Sequence, residues 1–211
     1  MPVTFDVDCR QCKRLSRFLD SVKQEHPDYY CRPVPPFGTR QPRLLIVGLA
    51  PGLHGANASG RPFTGDFAGI LLYQTLHKFG FASRSESVSA DDGLKLRQCR
   101  ITNAVKCLPP ANKPVGAEIN TCNAFLATEL GSLKKGTIVL ALGSIAHTAT
   151  LKALGLKTRD YPFGHGHFYD LPNGLVLATS YHCSRYNTQT RRLTAAMFHA
   201  VFRKIRKRID A

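Results

Sequence analysis

A glycine-rich segment with a single carboxylate follows the first long apolar run of the chain. Six of the 17 glycines lie between Gly48 and Gly69, and Asp66 is the only acidic residue between Asp28 and Glu86. Glycines allow the backbone to turn tightly or to approach a ligand closely. A lone carboxylate in such a segment is a candidate general base, but Asp is also favoured as the N-cap of a following helix. Spacing alone leaves both roles open for Asp66.

Two more polar side chains stand near the ends of later apolar runs. Asn103 lies in the second run and His182 follows the last one. An Asn amide offers both a donor and an acceptor, which suits the edge of a nucleobase. A His can donate a hydrogen bond to a developing negative charge. Taken alone, each residue is more typical of a turn or of an ordinary hydrogen bond, so their meaning depends on whether the fold brings them to Asp66.

Seven cysteines suggest a metal centre rather than a disulfide framework, because the N-terminus has no secretory signal. Cys9 and Cys12 form a CxxC pair, and Cys107 and Cys122 form a second pair separated by 14 residues. Four thiolates arranged in this way could hold a structural zinc or an iron–sulfur cluster of the 4Fe-4S type. The remaining three fit buried small apolar residues: Cys31, Cys99 and Cys183.

The apolar pattern of the chain alternates between strands and helices. Short apolar runs predict four strands at Arg43–Leu49, Ile101–Val105, Thr137–Leu142 and Leu175–Thr179. Helical periodicity predicts helices at Phe67–Phe79, Glu118–Leu130, Ser144–Leu154 and Thr190–Ile209. Such alternation indicates an α/β fold of three α/β/α layers around a central, mainly parallel four-stranded sheet.

This pattern predicts a single domain over residues 1–211. An N-terminal arm, residues 1–42, carries Cys9 and Cys12, and its five-proline part over residues 20–42 is expected to be extended. Because ligands bind beyond the carboxyl ends of the strands in an open parallel sheet, the segment after the first strand should meet Asn103 and His182 there.

The net charge of +15 indicates a polyanionic partner, most plausibly nucleic acid. Seven basic residues and no acidic ones lie between Arg191 and Arg208, with apolar residues at helical spacing, so a basic amphipathic helix is expected there. Such a face is more often solvated surface than a binding site. No apolar run approaches the roughly 20 residues of a membrane span, so a cytoplasmic protein without membrane association is expected.

Three motifs together resemble the uracil-DNA glycosylase superfamily. They are Gly48-Leu49-Ala50-Pro51 continuing to Gly65-Asp66, Thr102-Asn103-Ala104-Val105-Lys106-Cys107, and His182-Cys183-Ser184-Arg185-Tyr186-Asn187. Their order and the long first motif are most similar to the family 5, or type B, branch of bacteria and archaea. Family 4 enzymes carry Glu where this chain has Leu49, which also favours family 5. The resemblance extends from Cys9 to about Thr194.

The resemblance implies a DNA-repair enzyme that flips uracil out of DNA and hydrolyses its N-glycosidic bond. It also implies action on other deaminated bases, hypoxanthine and xanthine, and a monomer that works on damaged DNA. Asp66 would act on the attacking water, Asn103 would bind the edge of the base, and His182 would donate to a base oxygen. Gly48, Ala50 and Phe63 would complete the base pocket. DNA contacts are expected from Arg185, Asn187 and Arg191.

The same resemblance implies that Cys9, Cys12, Cys107 and Cys122 are the ligands of a structural 4Fe-4S cluster. One residue departs from the family pattern, since Cys183 stands where Pro is usual. Proline fixes φ near −65°, so the position of His182 is less constrained here. Two other classes remain open, a non-catalytic nucleic-acid-binding module stabilised by a metal and a small hydrolase of free nucleotides.

Overall fold

Four apolar runs form the parallel centre of a six-stranded sheet. The computed structural model describes residues 4–211, so the first three residues of the predicted domain and arm lie outside it, and the single domain stays a prediction. The strands are β1 (Phe37–Gly38), β2 (Leu44–Gly48), β3 (Cys99–Asn103), β4 (Ile138–Leu142), β5 (Phe168–Asp170) and β6 (Val176–Ser180). All five residues of β2 and of β4 are buried, as expected for strands covered on both faces.

The strand order is β1-β3-β2-β4-β6-β5, with the four central strands parallel. Leaving β2, the chain forms β3 on one side and then crosses over to β4 on the other. The carboxyl ends of β2, β3, β4 and β6 therefore share one edge of the sheet, where the order reverses. This edge is the expected place for a ligand.

Helices cover both faces of the sheet. They are α1 (Lys13–Glu25), α2 (Ala56–Ser59), α3 (Phe67–Lys78), α4 (Gly116–Gly131), α5 (Ser144–Ala153), α6 (Arg185–Gln189) and α7 (Ala195–Asp210). Leu44 and Ile46 of β2 join the apolar cluster under α3 and α7, while Leu45 and Val47 join the one under α4 and α5. This alternation confirms the three-layer α/β/α class.

The prediction of four strands was incomplete. The edge strands β1 and β5 are antiparallel to their neighbours and have only two and three residues. Runs this short lack the alternation that identifies a strand. Short edge strands also limit pairing with other chains.

The prediction for residues 20–42 was wrong at its start, because α1 continues to Glu25. Its buried residues Leu15, Leu19 and Val22 recur at helical spacing. The predicted helix over Thr190–Ile209 also begins too early. The short helix α6 ends at Gln189 and α7 starts only at Ala195, and the residues between them include Arg191 in the left-handed region (φ 57°). A non-glycine residue in that region interrupts an α-helix.

The core-facing side of α7 is the one that the periodicity predicts. Phe198, Val201, Phe202, Ile205 and Ile209 are all buried.

Among the described residues, no helix has the length and apolar character needed to cross a bilayer.

Candidate active site

A cavity of about 320 Å³ opens at the edge where the parallel strands end. It is lined by residues that follow β2, end β3 and follow β6, including Ala50, Phe63, Asp66, Asn103 and His182. Ala50 and His182 are 132 positions apart in the sequence, yet both line this cavity. The fold thus brings the predicted catalytic residues together.

The Asp66 carboxylate rests against glycine backbone rather than capping α3. In the described part of the chain, it makes no capping hydrogen bond to that helix, although Asp66 occupies the N-cap position. A Cβ on Gly52 would lie 2.5 Å from its Oδ1, and a Cβ on Gly55 only 2.0 Å. Ala56 N–H donates to Oδ2 at 3.4 Å. We name Gly52–Gly55 the cradle segment, because any side chain on its two glycines would displace the carboxylate.

Burial raises the pKa of Asp66 above the ordinary value of a carboxyl group. Hydrogen bonds from the backbone of Ala56 and Gly52 and the charge of His54 act in the opposite direction. Asp66 is half-buried, with part of its surface facing the cavity. A partly desolvated carboxylate that faces a cavity is suited to accept a proton.

Gly48 allows the amide of Asn103 to approach the Phe63 ring. Gly48 and Asn103 are register partners on the parallel strands β2 and β3. A Cβ on Gly48 would lie 2.4 Å from Asn103 Oδ1 and 2.8 Å from the Phe63 ring. Asn103 is 3% exposed, and its Oδ1 has no hydrogen-bond partner among residues 4–211. A buried amide without a partner is costly, so this group is prepared for a polar ligand.

His182 faces Phe63 across the cavity, with ring centroids 5.9 Å apart and planes inclined by 27°. Burial lowers the pKa of His182 to about 4. The imidazole is therefore neutral near pH 7, and one of its nitrogens carries a proton that it can donate.

Local hydrogen bonds fix the loop after His182, in which Cys183 stands where the family usually has proline. Cys183 is fully buried in the core. The hydroxyl of Ser184 accepts a hydrogen bond from Asn187 N–H at the start of α6, and Asn187 Nδ2 donates to the carbonyl of His182 at 2.8 Å. Asn187, predicted as a DNA contact, thus holds the loop through its side chain.

The predicted basic residues lie in α6 and just after it. The Arg185 guanidinium lies 5.0 Å from the centre of the Phe67 ring and lines the cavity. Arg191 is exposed in the break between α6 and α7. Next to it, the Arg192 guanidinium lies over the Tyr181 ring at 4.8 Å. The sequence analysis did not single out Arg192 or Tyr181 as a pair, because a cation–π contact leaves no local signal.

Comparison with known proteins decides the family. The family model described as the uracil DNA glycosylase superfamily matches residues 35–206. The chain belongs to the uracil DNA glycosylase superfamily.

Several relatives that match nearly the whole chain are named type-5 uracil-DNA glycosylases. A type-5 uracil-DNA glycosylase of Thermus thermophilus is 45% identical over 204 residues, covering 94% of this chain and 93% of that protein. One of Pyrobaculum aerophilum is 40% identical and covers 94% of this chain and 88% of its own. A type-4 uracil-DNA glycosylase of the same organism is 34% identical over only 59% of this chain. These findings confirm the resemblance to the type-5 branch.

Exposed apolar side chains lie in the segments that follow the parallel strands of this superfamily member. Among the described residues, the exposed large apolar side chains are Phe67, Ile70, Val88, Val115, Ile145 and Tyr186. Phe67, Val115, Ile145 and Tyr186 follow the carboxyl ends of the four parallel strands in turn. Val88 lines one groove together with Phe67 and Ile70. Tyr186 is 71% exposed, and the sequence analysis missed it although it lies between the predicted residues Arg185 and Asn187.

A buried ion pair anchors the loop over residues 83–92, which the sequence presents only as a polar surface segment. Arg61, 4% exposed, contacts both carboxylate oxygens of Asp92, at 3.0 Å and 2.5 Å. Asp92 also accepts hydrogen bonds from Val88 N–H and Leu94 N–H. The loop wall beside the cavity is therefore fixed to the glycine-rich segment.

The four predicted cluster cysteines line one small cavity that is separate from the active-site cavity. None of the seven cysteines of the chain forms a disulfide. Among residues 4–211, no group of three or more His, Cys, Asp or Glu side chains has the arrangement of a metal-ion site. Cys9 and Cys12 precede α1, Cys107 follows β3, and Cys122 lies in α4.

The chemistry of this donor set fits a thiolate-bound group. Burial, followed by the charges of the three other cysteines, raises the pKa of Cys107 to about 12. Four thiols that oppose one another's ionisation are stabilised as thiolates by a bound cation. Lys106 N–H donates to Cys122 Sγ at 3.3 Å, which is the type of hydrogen bond that stabilises a ligating sulfur.

The other small thiols pack as expected. Cys31 is 8% exposed, and Cys99 and Cys183 are fully buried. Their burial agrees with the prediction that they act as small apolar residues.

Proposed function

We propose that this protein excises uracil from DNA by hydrolysis and leaves an abasic site. The observation that carries the proposal is the Asp66 carboxylate, held by glycine backbone at one wall of the cavity, opposite the unpartnered Asn103 amide. Membership in the superfamily supports the same activity. A target base reaches such a cavity only after it leaves the DNA stack.

Each residue then has a part in breaking the bond between C1′ of the sugar and the base. The bond breaks with its electron pair moving to the base, and water attacks C1′. Asp66 accepts the proton of the water and offsets the positive charge that develops on the sugar. Neutral His182 donates a hydrogen bond to the base oxygen that gains negative charge. Phe63 stacks on the base, and Asn103 binds its edge.

We extend the proposal to other deaminated bases, hypoxanthine and xanthine. The Asn103 amide supports this wider range because it can donate to one base edge and accept from another. Excision assays on oligonucleotides with each base test it. Release of uracil alone would confine the activity to uracil.

The variant Asp66→Asn tests the main proposal. It removes the negative charge and the proton acceptor but keeps the shape, so excision should fall by about 10²–10⁴-fold. Affinity for uracil-containing DNA should persist, as measured by fluorescence anisotropy. The assay converts the abasic product into a strand break with heat and alkali. Unchanged excision in Asp66→Asn contradicts the role of Asp66, and binding by the unaltered protein without any excision supports the non-catalytic module.

We also propose that Cys9, Cys12, Cys107 and Cys122 hold a structural 4Fe-4S cluster, which would cross-link the chain through iron–thiolate bonds. The cluster would join the segment before α1 to α4. A bidentate ion pair between Arg14, in the first turn of α1, and Glu118 of α4 lies next to this link, at 2.7 Å and 2.8 Å. Hydrolysis of a glycosidic bond transfers no electrons, so no step of the reaction requires it.

Metal analysis tests the cluster. Protein purified without oxygen should be yellow-brown and contain about four irons and four acid-labile sulfides per chain. Cys9→Ser and Cys107→Ser should lose the colour, whereas Cys31→Ser, which changes a thiol outside the set, should keep it. A colourless protein with bound zinc contradicts the proposal.

A monomeric state and a cytoplasmic location stay predictions. Sedimentation of the purified protein tests the first, and localisation of a tagged chain tests the second.

A further inference from the structure

The cradle segment beside Asp66 contains one side chain that reaches the N-terminal arm. His54 lies between the glycines whose backbone touches the Asp66 carboxylate. Its carbonyl oxygen would lie 3.2 Å from a Cβ on Gly65, the residue before Asp66. The His54 backbone therefore lies next to the residue that precedes Asp66 in the chain.

His54 is held from outside its own loop. The hydroxyl of Tyr29 lies 2.8 Å from His54 Nδ1. His26 stacks on the Tyr29 ring with centroids 4.5 Å apart and meets the His54 ring edge-on at 5.8 Å. Tyr29 and His26 are half-buried while His54 is exposed, so the arm supplies the fixed partner of the contact.

Backbone hydrogen bonds align the arm with the loop beyond this contact. Tyr30 N–H donates to the carbonyl of Ala58 at 3.0 Å, and Cys31 N–H donates to that of Asn57 at 3.1 Å. These bonds end in α2, after the cradle segment. In the described chain, the Tyr29–His54 bond is the hydrogen bond that connects the arm to the cradle segment itself.

We propose that Tyr29 and His54 are positioning residues that hold the cradle segment and thereby fix the Asp66 carboxylate for attack on the substrate. This inference rests on the catalytic role proposed for Asp66. Small displacements of a reacting group can cost about 10²-fold in rate, so a single hydrogen bond at this place matters for catalysis.

The electrostatic influence of His54 favours the ionised form of Asp66. The largest influence on the pKa of Asp66 is burial, which raises it, and the charge of His54 opposes this. The other titratable groups near Asp66 are His182 and Arg185, which line the cavity with it, and the Cys183 thiol after β6. The Tyr29 and His26 rings face His54 from the arm.

The test compares two hydroxyl deletions on adjacent arm residues. Tyr29→Phe removes the bond to His54, whereas Tyr30→Phe removes only a 3.4 Å contact with the carbonyl of Pro33. Tyr29→Phe should slow single-turnover excision by about tenfold at saturating enzyme, without loss of DNA affinity. Tyr30→Phe should leave the rate unchanged. His54→Asn, whose Oδ1 can replace Nδ1 as acceptor, should retain more activity than His54→Ala.

Two further measurements separate this inference from the role of Asp66. In the His54→Ala background, Tyr29→Phe should have little additional effect on the rate, because the bond is already lost. Hydrogen exchange of the amides of residues 52–56 should accelerate in Tyr29→Phe and not in Tyr30→Phe. Unchanged exchange and rate in Tyr29→Phe overturn the inference, as does an equal loss of DNA affinity. Full excision by Asp66→Asn instead overturns the proposed function, and the exchange data still decide the contact.

Discussion

Burial shifts the pKa values of Asp66 and His182 in opposite directions. It raises the pKa of the carboxylic acid and lowers the pKa of His182 to about 4, because a partly dry environment disfavours either charge. Above its raised pKa Asp66 is an ionised proton acceptor, and well above pH 4 His182 is an uncharged hydrogen-bond donor. This combination suits a reaction in which positive charge develops on the sugar and negative charge on the base.

The pH dependence of excision follows from these shifts. Asp66 accepts a proton only when ionised, so the rate should rise with pH through its raised pKa and then level off. His182 stays neutral well above pH 4 and should add no second step near neutrality. Single-turnover rates between about pH 5 and about pH 9 measure the profile. His182→Gln should lower the plateau without moving the acidic limb, and a fall near pH 7 contradicts the assignment.

The lack of a side chain at Gly48 leaves room for the Asn103 amide and the Phe63 ring. In Gly48→Ala the new methyl would lie 2.4 Å from Asn103 Oδ1, so the amide or the Phe63 ring has to move. Excision should fall by about 10-fold or more, because the base-binding amide is displaced. Gly116→Ala is a matched control, since nothing lies within 4 Å of a Cβ there. Equal rates for both variants would show that the cavity tolerates the shift.

At the scale of elements, the groove beside the cavity depends on a loop that is fixed by one buried ion pair. Burial alone would raise the pKa of Asp92, but the hydrogen bond from Arg61 and those from backbone N–H groups outweigh it and hold the pKa well below its usual range. Because the folded-state pKa is depressed, the stabilisation is complete above the unfolded pKa of about 4 and is lost as pH falls towards the folded value.

Asp92→Asn tests this anchor. Removing one partner leaves Arg61 buried without its counter-charge, which costs about 3–5 kcal/mol. Asp20→Asn removes the partner of Arg10 in an exposed pair and should cost no more than about 1 kcal/mol. Urea denaturation near pH 7 measures both free energies of unfolding. Similar values for both variants would contradict the assigned anchor.

The sequence was sufficient for elements that have a local signal. The long apolar runs of β2, β3, β4 and β6 identify the parallel centre, and the strand ends identify Asp66, Asn103 and His182. The edge strands β1 and β5 are too short to show a period. The apolar spacing of α7 gave no sign of the turn at Arg191, and the Arg61–Asp92 pair joins residues 31 positions apart. Contacts of that kind depend on the tertiary fold.

At the scale of the whole molecule, the basic charge divides between two edges of the sheet. Arg43, which precedes β2, donates to the carbonyl of Ile209 at 2.8 Å. The last turn of α7, with Lys207 and Arg208, therefore lies at the edge opposite the cavity, and Arg208 pairs with Asp170. Arg191 and Arg192 lie at the cavity edge instead. Proximity to the cavity favours these two residues as DNA contacts.

Charge removal at the two edges tests this division. The double variant Arg191→Gln/Arg192→Gln should weaken DNA binding and reduce the slope of log affinity against log salt by about 1–2. Lys207→Gln/Arg208→Gln removes the same net charge and should leave the slope nearly unchanged. Anisotropy titrations over a range of salt concentrations measure it. Equal slopes for the two variants would assign the attraction to net charge alone.

The exposed apolar side chains near the cavity have a calorimetric consequence. Bound DNA that covers Phe67, Ile70 and Tyr186 removes apolar surface from water, and such burial makes the heat capacity change of binding negative. Phosphate contacts at Arg191 and Arg192 contribute through counterion release, which salt suppresses. The enzyme should therefore retain a negative heat capacity change in high salt, after most of its electrostatic attraction to DNA is lost.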